Sequence, residues 1–308
     1  MKYSPTYRNE VLILAVIILS LLPVMNISSY GQQIPNFSMY NMNHYVVNPA
    51  ASGTDDMLPV TLSYRKIWAG IDLSPSLQYI SGNMKVAPQM GAGARIFNYQ
   101  AGPLRKTGIE GTYSYHLSLG SGSTKLSFGL SLLLYQFRLN KSDLMVLDVE
   151  DQVFMGNEQM IVPDAGFGIY LYDEKYFAGI SVPQLFQRNI DLKADMILQQ
   201  KQVRHYYVHG GYRFSAGSDF KIEPSLLIKF IEAGIFQADI NAMAVYRDMI
   251  NFGISFRTSD AISFQLGYST PQLFAGYAYD MAISGLHGNT FGSHELIFTY
   301  KLDNFLLK

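Results

Sequence analysis

The sequence predicts an all-β protein, a transmembrane antiparallel β-barrel of about fourteen strands of the outer-membrane type. Three observations carry that prediction. First, apolar and polar residues alternate with period two through most of the chain, and successive side chains of a strand point to opposite sides. In the last stretch, Leu296, Phe298, Tyr300 and Leu302 share one face, while Glu295, Ile297, Thr299 and Lys301 form a mixed, mostly polar one. Second, charged residues make up only 15% of the chain, against roughly 25% in an ordinary soluble domain. Tyr (22) and Phe (19) are abundant, and mean hydropathy is close to zero, too low for a polytopic helical protein. An apolar exterior around a polar interior has this composition. A Tyr-rich secreted β-sandwich shares it, so the third observation decides: the long connections all fall at odd-numbered positions along the chain.

Residues 1–31 read as a signal peptide. Lys2 and Arg8 form a positive start, Val11 to Val24 is an apolar run of fourteen residues, and Ser29-Tyr30-Gly31 offers a signal-peptidase site before Gln32. The run falls short of the ~20 residues that span a bilayer as a helix. With no cysteine, a lipoprotein anchor, disulfides and Cys-zinc sites are excluded. Without the leader the chain carries a net charge of −2, from 21 basic and 23 acidic residues, and nothing in it attracts nucleic acid.

Residues 32–57 are interrupted by Pro35, Asn41, Asn43, Asn48, Pro49 and Gly53, and are expected to pack into or under the barrel as a periplasmic or plugging segment. The barrel takes residues 58–308. Its strand candidates run 58–66, 76–87, 90–100, 105–118, 124–137, 163–172, 175–183, 202–214, 219–230, 236–246, 250–257, 261–269, 272–280 and 291–302. The fifth is the clearest, with Leu126, Phe128, Leu130, Leu132 and Leu134 opposite Ser127, Gly129 and Ser131. In the tenth, Ile240, Ala242, Ala244 and Tyr246 oppose Asn241 and Arg247. Pro183, Pro224 and Pro271 fall near strand ends or weak points, where a missing donor costs least. Tyr64, Tyr79, Tyr99, Tyr172, Tyr268 and Tyr279 lie near strand ends, where an interfacial girdle places amphipathic rings.

With the N-terminal segment periplasmic, every even-numbered connection is short, as at Pro88-Gln89 and Asp173-Glu174. The long connections, near 138–162, 184–201 and 281–290, are all odd-numbered. Short periplasmic turns and longer outside loops are the outer-membrane arrangement. A soluble sandwich has no reason to sort its loops so.

Candidate chemistry is thin. His205 and His209 flank two tyrosines on a strand, which puts them at the lumen or rim, and His294-Glu295 cannot form a helical zinc motif. Gly91-Ala92-Gly93 opens a strand, not a phosphate-binding helix. Asp143, Asp148, Glu150, Asp151 and Glu158 read as a solvated outside loop. No catalytic residue, cofactor or metal site is expected, and an outer-membrane hydrolase would need a Ser/His/acid cluster that the sequence lacks.

Three stretches carry a resemblance. Phe37-Ser38-Met39-Tyr40 leads to Asn48-Pro49-Ala50-Ala51-Ser52-Gly53; Tyr64-Arg65-Lys66-Ile67-Trp68-Ala69-Gly70 leads to Ser74-Pro75-Ser76. Pro163-Asp164-Ala165-Gly166-Phe167-Gly168 leads to Tyr176-Phe177-Ala178-Gly179-Ile180-Ser181-Val182-Pro183. In this order the chain resembles the PorP/SprF family of the type IX secretion system, over essentially its whole mature length. The resemblance departs from the family at Ala51-Ser52, where an aromatic or an Ala-Gly pair is common.

That resemblance implies a non-enzymatic, integral outer-membrane barrel that assists secretion and surface attachment of large cargo, including gliding-motility adhesins. Its implied partners are outer-membrane lipid, the periplasmic ring and outer-membrane lipoproteins of the system, and the cargo. The motif residues Asn48, Pro49, Arg65, Trp68, Gly70, Pro163, Asp164 and Gly179 are expected to act in barrel architecture or partner docking. Physically, Asn48-Pro49 makes a capped turn, Arg65 pairs inside the lumen with an acid such as Glu110 or Glu223, and Trp68 with Gly70 anchors the first outside loop. The alternative reading is a channel for a small hydrophobic or sugar solute.

Overall fold

The computed structural model describes residues 37–140, 157–191, 199–232, 236–304 and 306. The leader, and the acidic stretch apart from Glu158, lie outside them. The strands are β1 (Leu58–Lys66), β2 (Ser76–Ala87), β3 (Met90–Ala101), β4 (Leu104–Ser118), β5 (Lys125–Asn140), β6 (Asn157–Tyr172), β7 (Tyr176–Val182), β8 (Asn189–Asp191) and β9 (Gln199–Lys201). They continue as β10 (His205–Tyr212), β11 (Phe214–Ala216), β12 (Phe220–Ile231), β13 (Phe236–Tyr246), β14 (Ile250–Arg257), β15 (Ala261–Ser269), β16 (Leu273–Ala282) and β17 (Ser293–Leu302). Each pairs antiparallel with its neighbours, β10 bridges β7 and β12, and β17 returns to β1. With β11 continuing β10 and β8–β9 a separate hairpin, the result is a closed barrel of fourteen strands. Where every strand is paired on both sides, closure leaves no edge to meet lipid, where an unpaired backbone group costs several kcal/mol.

The alternation seen in the sequence becomes the wall. At the seam, Thr61 and Thr299 face each other in register and their hydroxyls hydrogen-bond at 2.9 Å inside the barrel. Outside, Leu130, Leu132, Leu134, Ile254, Leu266 and Leu296 are exposed, whereas inward Ser127, Ser131, Ser255 and Ser263 are buried. Buried hydroxyls beneath exposed leucines invert the order of a soluble protein; lipid is the layer that covers them. No described helix is long and apolar enough to cross a membrane. The chain crosses with strands.

Several expectations change in detail. β5 and β6 run past the predicted 137 and 163, because Leu133, Tyr135, Phe137, Leu139 and Val162 make an apolar cluster on their inner face. Pro163 therefore lies within β6, not at its start; β7 pairs β6 only from Phe167, so the proline sits where one side of the strand has no ladder. Pro224 lies where the pairing of β12 passes from β10 to β11, next to Glu223, which faces the break at Arg213. The connection 184–201 contains β8 and β9. Of the six girdle tyrosines, Tyr64, Tyr268 and Tyr279 face outward, but Tyr79 packs inward on Phe37, Tyr99 lines the lumen and Tyr172 hydrogen-bonds His116. Parity decided the matter: a girdle needs outward residues, and proximity to a strand end does not supply that.

Candidate functional site

The feature that fills the lumen is the chain's own segment before β1. Residues Phe37 to Gly53 form three single 3-10 turns, Tyr40–Met42, His44–Val46 and Pro49–Ala51, and nearly all of them are buried. The segment runs from the long-loop end of the barrel to the short-turn end, where β1 starts.

At the loop end, Ser38 sits in a network of charges. Its backbone N–H donates to Glu295 Oε2 at 2.7 Å and its hydroxyl to Asp280 at 2.7 Å. Arg65 spans Asp280 at 2.5 Å and Glu295 at 3.0 Å. Arg257 reaches Asp239 at 2.9 Å, Asp260 at 3.2 Å and Asp280 at 3.4 Å, and also donates to Ser38 Oγ at 3.2 Å. Arg65 thus pairs inside the lumen, but neither with Glu110, which pairs with Arg95, nor with Glu223, which pairs with Arg213. Cross-strand register explains this, since Arg65 stands directly opposite Glu295 on β17.

Midway, polar ties alternate with apolar packing. Tyr45 OH donates to Thr112 at 2.9 Å, Asn43 to Ser81 at 3.2 Å, and Arg95 to the Val46 carbonyl at 3.1 Å. Tyr40, Val46 and Val47 pack with the wall residues Tyr79, Tyr207 and Leu227. A cavity of about 70 Å³ remains beside Phe37 and Val46, room for about two water molecules.

At the lower end, Asn48 and Pro49 are seated on glycine. Asn48 Oδ1 caps the third turn by accepting from Ala50 N at 2.9 Å, and Pro49 takes the first position, where no N–H is needed. Asn48 Nδ2 donates to the Ile169 carbonyl at 3.0 Å and sits 3.1 Å from His209 Nε2. The wall allows this approach because a Cβ on Gly168 would lie 2.0 Å from Asn48 Oδ1, on Gly179 2.6 Å from Asn48 Nδ2, and on Gly129 2.3 Å from Ala50 N. The Asn48→Ala variant removes the cap and the bond to the Ile169 carbonyl, and is expected to destabilise the folded barrel by about 1–3 kcal/mol. Chemical denaturation in lipid vesicles checks it; an unchanged midpoint would contradict the seat.

The motif residues fall into four places. Asn48, Pro49 and Gly179 meet at the seat, and Arg65 joins the charge network. Trp68 and Gly70, both at positive φ (52° and 90°), lie in the first outside loop. That loop is stitched to the β16–β17 connection by Ala69 N to Gly292 O and Phe291 N to Ala69 O, each 2.7 Å, and the Phe291 ring occupies the space of a Gly70 Cβ. Asp164 accepts from Phe186 N at 2.9 Å and so holds the β7–β8 connection against β6, next to Pro163. His205 and His209 both face the lumen.

Sequence reading missed Ser38, Arg257, Asp239, Asp280 and Glu295 as one cluster, and Gly129 and Gly168 as a seat. Parity places each of these strand residues on the inner face; what it does not provide is the height at which they meet.

The family model for the type IX secretion system membrane protein PorP/SprF matches residues 29–300. The chain belongs to the PorP/SprF family. Its fold is that of outer-membrane barrels: the Ralstonia pickettii toluene transporter TbuX superposes with a TM-score of 0.52 at 9% identity, over 84% of this chain and 92% of that one. A Pseudomonas aeruginosa FadL homologue gives 0.49 at 10% identity, over 89% and 95%. The Acinetobacter baumannii outer membrane protein Omp33 gives 0.47 at 9%, over 82% and 100%. No curated protein matches the sequence. This PorP/SprF protein is therefore a type IX secretion membrane protein with an outer-membrane barrel fold.

Proposed function

We propose that this PorP/SprF barrel assists secretion and surface attachment of large cargo, gliding-motility adhesins among them, as a non-enzymatic docking component and not as the conduit. The observation that carries the reading is the seated N-terminal segment. It meets the wall at Ser38, Asn43, Tyr45, Asn48 and Gly53, from one end of the lumen to the other. Binding is then left to the outside loops and the periplasmic rim, with the periplasmic ring, outer-membrane lipoproteins and the cargo as partners.

The alternative, a small-solute channel, draws on the fold shared with TbuX, a toluene transporter. The contacts of the segment with the wall at both ends and midway along the lumen weigh against it.

One experiment separates the two. The chain has no cysteine, so Asn43→Cys with Ser81→Cys, whose side chains meet at 3.2 Å, forms a lone oxidisable pair. Cargo secretion is expected to continue at the unlocked rate after oxidation, and pull-down from detergent-solubilised outer membranes to recover secretion components or one giant surface protein. A block on oxidation, relieved by reduction, would make the lumen a passage. A partnerless barrel would remove the docking role.

A further inference from the structure

The outer face of β2 to β6 is layered in register. One row reads Ile80, Ile96, Ile109, Leu134, each directly opposite the next across the strands. The row above reads Gln78, Asn98, Thr107, Gln136, and the row above that places Gln100, Arg105, Arg138 and Gln159 side by side. Ile96 and Ile109 are exposed on this face, as are Arg105 and Arg138. Rows on one face are about 7 Å apart along a strand. On β2 to β5 the outward side chains thus turn from apolar to polar above the isoleucine row, while on β6 Ile161, opposite Gln136, carries the apolar face one row higher, and the arginine row stands above both at the long-loop end of the barrel.

Two like charges directly opposite on antiparallel strands repel. Among the described residues no carboxylate answers them: Arg138 has no hydrogen-bond or ion-pair partner there, and Arg105 donates only to Asn98 Oδ1, at 2.6 Å. That bond bends Arg105 back toward the membrane. Asn98 donates its amide to Gln78 at 2.8 Å and accepts from Thr107 at 3.1 Å, which fixes the acceptor that holds the Arg105 side chain. Elsewhere the exposed cations Lys221, Arg247 and Arg213 each meet an acid.

We propose that Arg105 and Arg138 form a clamp for the phosphate of an anionic lipid headgroup in the outer leaflet. A phosphate between them removes the repulsion, and its oxygens match the forked guanidinium geometry. The clamp lies on the barrel exterior, apart from the plug and from any cargo role.

The test uses the full barrel in nanodiscs of phosphatidylcholine doped with lipid A, or with lipid A stripped of its phosphates, followed by native mass spectrometry of retained lipid. Wild type is expected to hold the phosphorylated form on the order of tenfold more strongly than the stripped one, the loss of one or two charge-assisted contacts. Arg105→Gln with Arg138→Gln is expected to abolish that preference, while Lys221→Gln with Arg247→Gln at the opposite rim keeps it. Heat-modifiable gel mobility verifies that each variant is a folded barrel. Equal retention of both lipids by wild type, or an undiminished preference in the double variant, overturns the clamp. Displacement of lipid A by inorganic phosphate alone shows a free-anion site and overturns the lipid assignment.

Discussion

Replacing Arg257 with methionine is expected to destabilise the barrel by about 3–5 kcal/mol, the effect of removing one partner from a buried ion pair. The side chain is 1% exposed and lies between Asp239 and Asp280, both 2% exposed. Methionine fills a similar volume but leaves carboxylates without a counter-charge in a closed lumen. The loss reaches the segment as well, because Arg257 donates to Ser38 Oγ and Asp280 accepts from it. Urea denaturation followed by gel mobility in lipid vesicles measures the first effect, and chymotrypsin cleavage near Phe37 and Tyr40 the second. The exposed pair Lys221–Asp248, with side chains 55% and 66% exposed, is the internal standard; Lys221→Met is expected to change stability by less than ~1 kcal/mol. Equal effects at Arg257 and Lys221 would mean that the network contributes nothing beyond its surface counterpart.

Gly129→Ala is expected to unseat the segment while leaving the barrel closed. The new Cβ would lie 2.3 Å from Ala50 N and 2.4 Å from the Pro49 carbonyl carbon, both backbone atoms that no rotamer change can move aside. Overpacking of this kind costs about 1–3 kcal/mol or more, and it falls on the segment, since β4 to β6 hold their ladder around position 129. The folded band on a gel is expected to persist, proteolysis within 37–57 to rise, and conductance in a planar bilayer to appear. Gly111→Ala, with nothing within 4 Å of its Cβ, is the control. If Gly129→Ala instead exposes the segment only as the folded band is lost, segment and wall are one cooperative unit and the seat is not separable.

These two variants mark the limits of what the primary structure discloses. The alternation in β5 put Ser127, Gly129 and Ser131 on one face, and the burial follows it. Glycine there reads as ordinary barrel wall. That Ala50 rests on it depends on how far the preceding segment reaches into the lumen, and its Asn- and Pro-rich stretch has no periodicity from which to read a depth. The Arg65 pairing went the same way. Its inward direction follows from parity, but its acid comes from a strand at the other end of the chain, and only closure of β17 on β1 brings Glu295 opposite.

What the sequence by itself determined is the set of barrel strands, their faces, the confinement of the long connections to one end, and the family motifs. Each is local, or set by a period of two, because a membrane offers only one lasting solution for alternating strands, a closed barrel with its apolar face in lipid. Tertiary structure alone decided the heights. It placed Ser38 among Arg65, Arg257, Asp280 and Glu295, the Asn48-to-Ala50 turn over three glycines, and Arg105 beside Arg138 above the isoleucine row. Those meetings depend on the stagger between strands and the path of a segment without regular structure. Both are set by the sum of many weak contacts over the closed barrel, and no stretch of sequence contains that sum.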